Sequence, residues 1–137
     1  NAGVFNYSKQ SDSSIGFSMR YPVTFEWEQQ KAALEERLAA YNLRVKSNSH
    51  STPHYVDSES FLIKTLQQVY EAETGDKEEI LSIGGGTYAR SLKEGVAFGP
   101  LFPGSEDIAH QKDEYIVIED MLKATSIYAR AIHELAK

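Results

Sequence analysis

The sequence predicts a mixed α/β protein built in two pieces. Apolar and polar residues alternate between Ile15 and Tyr21, which is the period of a strand with one buried face. Three later segments carry apolar residues at helical spacing. Between the first two of them, residues 47–58 are rich in Ser and show little periodic pattern. We therefore expect a boundary in this stretch, with the pieces at 1–52 and 53–137.

The first piece is expected to follow the order β-β-α-β. Strands are predicted over 4–7 and 15–21, and Pro22 ends the second because proline cannot donate to a sheet ladder. A helix over 24–41 and a short strand over 43–46 follow. The buried face of this helix is predicted to carry Trp27, Leu34, Leu38 and Tyr41. This order is that of a split unit of the ferredoxin-like kind.

The second piece is expected to mix helices with short buried strands. A helix is predicted over 60–73. Gly75 is expected to end it, because glycine is common just after the last residue of a helix. Short strands are predicted over 80–83 and 96–98. The last helix is predicted over 117–136, with its inward face formed by Met121, Leu122, Thr125, Tyr128, Ile132 and Leu135.

Composition and charge exclude several classes of protein. Lys and Arg total 14 while Asp and Glu total 20, and the net charge of −6 argues against a nucleic-acid binder. The absence of cysteine excludes disulfide scaffolds, Cys-ligated metal centres and thiol catalysis. No apolar run approaches the roughly 20 residues that span a bilayer, and no signal peptide is apparent, so a soluble, cytoplasmic protein is expected. The chain opens on Asn1 rather than Met, which suggests processing or a segment boundary.

The most informative segment runs from Gly99 to Tyr115, where two prolines and two glycines predict a rigid loop before a long helix. Within it, His110 stands among acidic residues (Glu106, Asp107, Asp113 and Glu114). An imidazole surrounded by carboxylates can be a metal ligand oriented by hydrogen-bonding neighbours. From composition alone, a surface histidine in a solvated acidic loop is the favoured interpretation. The other histidines are explained by loop solvation (His50 and His54) or by the dipole at a helix C-terminus (His133).

Two further segments have features of a ligand site. Three glycines at 84–86 follow a predicted strand, and such a turn can aim backbone N–H groups at an anion. The segment lacks the Gly-Lys-Ser/Thr of a P-loop, and a tight turn without a ligand is the slightly favoured alternative. Arg20 lies on the polar face of the second strand, where a guanidinium can bind a carboxylate through two parallel hydrogen bonds. An exposed strand arginine is also common.

Together, these segments resemble a known family. The runs G-G-G-T-Y-A-R and V-A-F-G-P-L-F-P-G-S-E-D-I-A-H-Q-K-D-E-Y-I closely resemble the C-terminal part of bacterial zinc dipeptidases of the carnosinase-related kind, in the aminoacylase/carboxypeptidase clan of di-zinc peptidases. The earlier G-F-S-M-R-Y-P looks like the strand of their lid domain that carries a substrate-binding arginine. The resemblance covers essentially the whole chain, in the right order.

The resemblance implies a role for each matching residue. It makes His110 the C-terminal zinc ligand and Arg20 the residue that holds the free carboxylate of a dipeptide. It places Gly85, Gly86 and Thr87 in the substrate site, with Arg90 at its end. It also implies a lid domain ending near residue 52, a catalytic domain from residue 53 onward, and two zinc ions in the full-length enzyme.

Most of the expected catalytic machinery is not found in this sequence. The family holds its two zinc ions with five side chains and uses a Glu general base, but no His-x-Asp pair or matching Glu-Glu pair is present. The pairs Glu35–Glu36 and Glu78–Glu79 are predicted to be solvated acids. A zinc hydrolase needs about three protein ligands and a carboxylate that moves the proton of water. We therefore expect no catalytic residue in this fragment and no activity from it alone.

The remainder of the catalytic domain is an expected partner, together with the dipeptide substrate. Because two partial domains would expose apolar faces and sheet edges, self-association of the isolated chain is also expected. The alternative hypothesis is a non-enzymatic, ferredoxin-like module that binds or senses a small ligand, with His110 in a structural role.

Overall fold

The computed structural model describes residues 1–77 and 79–137, and the contacts within it divide the chain into two units, Asn1–Tyr55 and Val56–Lys137. A two-stranded sheet lies in the first unit, and α-helices occur in both, so the mixed α/β class is confirmed. The prediction for Glu78 lies outside the described residues, whereas Glu79 is exposed as expected.

The first unit begins with a β-hairpin. Strand β1 (Ala2–Asn6) pairs antiparallel with β2 (Ser14–Phe17), with Phe5 opposite Ile15 and an irregularity between Ala2 and Val4. The connecting loop is held by the Ser8 hydroxyl, which accepts hydrogen bonds from two backbone N–H groups, those of Gln10 and Ser11. The second strand ends at Phe17, four residues earlier than the alternating pattern predicted.

Helix α1 (Trp27–Ala39) follows the hairpin. Trp27, Leu34 and Leu38 are half-buried on one face, as predicted, while Tyr41 lies beyond the helix and is exposed. The strand predicted over 43–46 is not formed in the described part of the chain. A four-residue strand depends on a neighbouring strand for its backbone hydrogen bonds, and the Arg44 side chain instead pairs with Asp12 at 3.0 Å.

The second unit is built around two packed helices. Helix α2 (Phe61–Thr74) begins at Ser60, whose hydroxyl accepts the Ile63 N–H at 3.3 Å, and ends at Gly75 in the left-handed conformation (φ 77°). Helix α3 (Ile118–Leu135) packs against it. The buried cluster between them consists of Leu66, Val69, Phe102, Ala124, Ile127 and Ala131. Both predicted helices are confirmed.

The buried face of α3 differs from the prediction. Ala124, Ile127 and Ala131 face the core, with Tyr128 and Leu135 packed at its edge. The side chains of Met121, Leu122, Thr125 and Ile132 are exposed. The helix carries apolar residues on two sides, and the side with two alanines is the one packed within this unit, because small side chains let helices approach closely.

The strands predicted over 80–83 and 96–98 are not formed within the described residues. Ile80, Leu81 and Ile83 are exposed, whereas Val96 and Phe98 pack against the helical core. A buried strand of this kind needs a neighbouring strand to pair with, and the described part of this unit offers none. No helix among the described residues is long and apolar enough to cross a membrane.

Candidate functional site

The loop that carries His110 is anchored at its start to the helical core. Phe102 is buried, stacks on Tyr70 with ring centroids 6.4 Å apart, and is covered by the Lys123 ammonium 4.5 Å from its centroid. The Ser105 hydroxyl donates to the Asp120 carboxylate in the first turn of α3 at 3.2 Å. The N-terminal part of the loop is therefore fixed in position next to the first turn of α3.

His110 itself has an unusual backbone conformation. Its φ is 65°, in the left-handed region that non-glycine residues seldom adopt, and Asp113 shares this conformation with a φ of 61°. The His110 N–H donates to the Glu114 carboxylate at 3.1 Å. The side chain of His110 lies at an exposed position. The imidazole is thus presented to solvent by a tightly turned backbone.

The acidic residues around His110 do not form a metal centre by themselves. No group of three or more His, Asp or Glu side chains placed to hold a metal ion occurs within residues 1–77 and 79–137. A catalytic zinc needs about three protein ligands. An exposed imidazole fits one of these positions, and the described residues do not supply the rest of the set.

The glycine segment and Arg90 lie together. A Cβ atom added to Gly86 would stand 2.9 Å from Nη1 of Arg90, so the guanidinium lies directly over this glycine. Thr87 precedes a single 3-10 turn (Tyr88–Ser91), and its carbonyl accepts the Arg90 N–H at 3.3 Å. By contrast, the space around Gly85 is open. Three of the predicted substrate-site residues therefore form one small surface with a cationic group over exposed backbone.

Gly95 holds this turn close to the following segment. A Cβ atom on Gly95 would lie 2.6 Å from the Ala89 carbonyl oxygen and 2.8 Å from Cβ of Leu92. Backbone cannot yield to a side chain at that distance, so only glycine fits here. No sequence pattern marks Gly95, because the close contact depends on how the chain folds back on the 3-10 turn.

Arg20 lies in the first unit, three residues beyond the end of β2. It is exposed, and its guanidinium makes no ion pair or hydrogen bond with the described residues. A free guanidinium of this kind is available for a carboxylate ligand.

Three rings of the first unit, one of them on the residue that follows Arg20 in sequence, form a stack that no local sequence pattern indicates. Tyr21, Trp27 and His50 stack nearly parallel, with the Trp27 and His50 centroids 4.6 Å apart. The Tyr21 hydroxyl is hydrogen-bonded to Nε2 of His50. His50 is exposed, as a solvated loop residue is expected to be, and its ring also contacts two aromatic side chains of the same unit. Its distance from Tyr21 in sequence leaves no local pattern by which this contact could be predicted.

The clearest electrostatic feature of the second unit lies away from these residues. Glu73 on α2 accepts hydrogen bonds from Arg130 at 2.7 Å and Ser126 at 3.1 Å on α3. These two bonds lower the pKa of the Glu73 carboxyl. Burial raises the pKa of Tyr128, and a hydrogen bond from Lys137 lowers that of Glu134. The hydrogen bonds of Glu73 join α2 to α3, whereas the Glu134–Lys137 pair lies at the C-terminal end of α3.

Comparison with known proteins gives a consistent family relationship. A family model described as peptidase family M20/M25/M40 matches residues 5–134. The "Putative dipeptidase YtjP" of Bacillus subtilis is 50% identical over 137 residues, which is 100% of this chain and 29% of that protein. A "Putative dipeptidase" of Staphylococcus epidermidis is 42% identical over 135 residues, 98% of this chain and 29% of that protein. The chain thus spans less than a third of the length of these relatives.

Proposed function

Because the chain belongs to peptidase family M20/M25/M40, we propose that it forms part of a zinc-dependent dipeptidase that hydrolyses the peptide bond of dipeptides. Membership of this family and the names of the relatives support a peptidase. The bond cleaved, the metal and the cytoplasmic location are our proposals for the whole protein.

The observation that carries the proposal is the conformation of His110. The left-handed backbone costs about 1–2 kcal/mol in a residue with a side chain, and glycine would adopt it without that cost. Residues held in such conformations are concentrated at functional sites. An imidazole at this position can occupy one ligand site of a zinc ion, with the other ligands contributed by the remainder of the catalytic domain.

Bound zinc polarises a carbonyl group and lowers the pKa of a water molecule, and the family resemblance implies two such ions. Among the described residues, His110 is the one proposed zinc ligand, and no residue is assigned as the general base. We therefore expect the 137-residue chain alone to be inactive. The active protein would combine a catalytic domain, including residues 53–137, with a lid domain ending near residue 52.

The remaining candidate residues would bind the substrate. Arg20 would hold the free carboxylate of the dipeptide through paired hydrogen bonds. The backbone at Gly85, Gly86 and Thr87 would hydrogen-bond the substrate, with Arg90 adding positive charge over Gly86. Recognition of a terminal carboxylate at a fixed distance from the cleaved bond would restrict the length of a peptide substrate and would favour dipeptides.

The test is His110→Ala in the full-length protein, with His133→Ala as the matched control on the last turn of α3. We expect His110→Ala to lower the zinc content measured by mass spectrometry. Dipeptidase activity should fall by more than the roughly 10–100-fold that loss of an outer-shell partner costs. His133→Ala should retain both properties. Normal zinc content and normal activity in His110→Ala would contradict the proposal and favour a structural role for this histidine.

A further inference from the structure

The loop around His110 is supported by a set of local hydrogen bonds. The Ala109 N–H donates to the Asp107 carboxylate at 3.3 Å, and the Gln111 N–H donates to the Ile108 carbonyl at 3.0 Å. Between them, the His110 N–H donates to Glu114. Three successive N–H groups are therefore satisfied, and only the one at His110 depends on a side chain that follows it in sequence.

Within residues 1–77 and 79–137, the Glu114 carboxylate forms no ion pair. The nearest basic residue in sequence, Lys112, lies 3.9 Å from the Asp113 carboxylate. Among the described residues, the His110 N–H is the one hydrogen-bond donor found at the Glu114 carboxylate. A hydrogen bond from a backbone N–H to an ionised carboxylate is roughly twice as strong as one between neutral groups.

The role proposed for His110 explains why this support is needed. A residue that supplies an imidazole cannot be glycine, so the cost of its left-handed conformation must be offset by contacts in the loop. The direction of the Cα–Cβ bond, and with it the reach of the imidazole, follows from that backbone conformation. A carboxylate that fixes the His110 N–H therefore fixes where the ring can go.

We propose that Glu114 is a positioning residue, whose carboxylate holds the backbone of His110 in the conformation that aims the imidazole at the zinc ion. This inference rests on the function proposed above and concerns the loop of this chain alone. Glu114 acts here as an acceptor for a backbone N–H. It neither binds the metal nor transfers a proton.

The experiment compares four variants of the full-length protein: Glu114→Ala, Glu114→Gln, His110→Ala and Glu106→Ala. Zinc affinity is measured by competition with a chromophoric chelator, and folding is checked by circular dichroism. We expect Glu114→Ala to weaken zinc binding by about 10–100-fold, the range for loss of an outer-shell partner. Glu114→Gln should stay within a few-fold of the wild type, because its amide oxygen can accept the same N–H. Glu106→Ala removes another exposed carboxylate of the loop and should leave affinity unchanged.

The outcomes separate the two proposals. Wild-type affinity in Glu114→Ala would overturn the positioning role. A loss in Glu114→Gln equal to that in Glu114→Ala would also overturn it, because the effect would then follow the charge of Glu114 and not its capacity to accept the His110 N–H. Retention of zinc by His110→Ala would instead overturn the proposed function. If Glu114→Ala does not fold, Glu114→Asp provides the same comparison, since its shorter side chain keeps the charge but should not reach the His110 N–H.

Discussion

At the scale of single residues, the contact between Gly86 and Arg90 makes a specific prediction about substrate binding. A methyl group on Gly86 would stand 2.9 Å from the guanidinium and displace it, whereas a methyl group on Gly85 would meet open space. In the full-length protein, Gly86→Ala should raise KM for a dipeptide by roughly tenfold, equivalent to about 1.4 kcal/mol, near the lower end for a hydrogen bond to a charged group.

Steady-state kinetics with Gly85→Ala as the control tests this prediction. Gly85→Ala should raise KM less than Gly86→Ala. In a protein that already carries Arg90→Ala, Gly86→Ala should add little, because the displaced group is gone. Equal effects of the two glycine substitutions would show that Arg90 is not the group affected.

His110, the glycines and Arg90 are candidates on the basis of residue type and of motifs that resemble those of the family, and both signals are local in sequence. The support of His110 by Glu114 depends on a backbone φ of 65°, which residue type does not specify. The contact between Tyr21 and His50 joins residues 29 positions apart, and spacing rules for helices and strands do not extend that far.

At the scale of elements, the link between α2 and α3 predicts a dependence of stability on pH. The hydrogen bonds from Arg130 and Ser126 lower the pKa of Glu73 in the folded chain below its ordinary value of 4.5. Their contribution is therefore complete above 4.5, where both folded and unfolded chains carry the ionised group. It is lost as the pH falls from 4.5 through the lower pKa of the folded chain, because the unfolded chain takes up the proton first.

Urea denaturation followed by helical circular dichroism tests this over a pH series. Glu73→Gln should be less stable than the wild type at neutral pH, and the difference should shrink below pH 4.5. Glu71→Gln, on the same helix, is the control, since the Glu71 carboxylate makes no ion pair among the described residues. A difference for Glu73→Gln that does not change with pH would mean that its charge does not stabilise the helix pair.

Elements whose ends are specified by nearby residues are predicted accurately, whereas elements that depend on distant partners are not. Helix α2 was placed within one residue at each end, because Ser60 and Gly75 cap it through bonds to its own turns. No strand is formed over 80–83 among the described residues, so this prediction was wrong. A strand needs backbone hydrogen bonds to another strand, which is usually distant in sequence and so gives no local signal. The inward face of α3 was misassigned because apolar residues lie on two of its sides, and periodicity alone does not say which side meets α2.

At the scale of the whole molecule, the chain buries unusually little of its surface. Its accessible area is 11693 Å². Two separate compact domains that share 15.4 kDa in proportion to the lengths of the two units should together expose only about 8,600 Å². The first unit contains no buried residue at all. Many large apolar side chains are exposed, among them Tyr7, Leu81 and Tyr88, which is typical of surfaces that another part of a protein covers.

We therefore expect the isolated 137-residue chain to self-associate, and the exposed apolar side of α3 to contribute. Light scattering should show assemblies larger than a monomer. The double variant Leu122→Glu/Ile132→Glu should reduce them, because it places charge on two side chains that are 62% and 69% exposed. The double variant Gln10→Glu/Gln29→Glu adds the same charge at exposed positions elsewhere and should change association less. A clean monomer at high concentration would contradict the prediction.

The ring stack of the first unit has one practical consequence. Trp27 is the sole tryptophan of the chain, and its indole lies against the His50 imidazole, which belongs to the segment after α1. The tryptophan fluorescence of the chain therefore reports on the contact between Trp27 and His50. Detachment of the His50 segment should alter the emission while the helical signal is unchanged, so the chain carries its own optical probe for local opening.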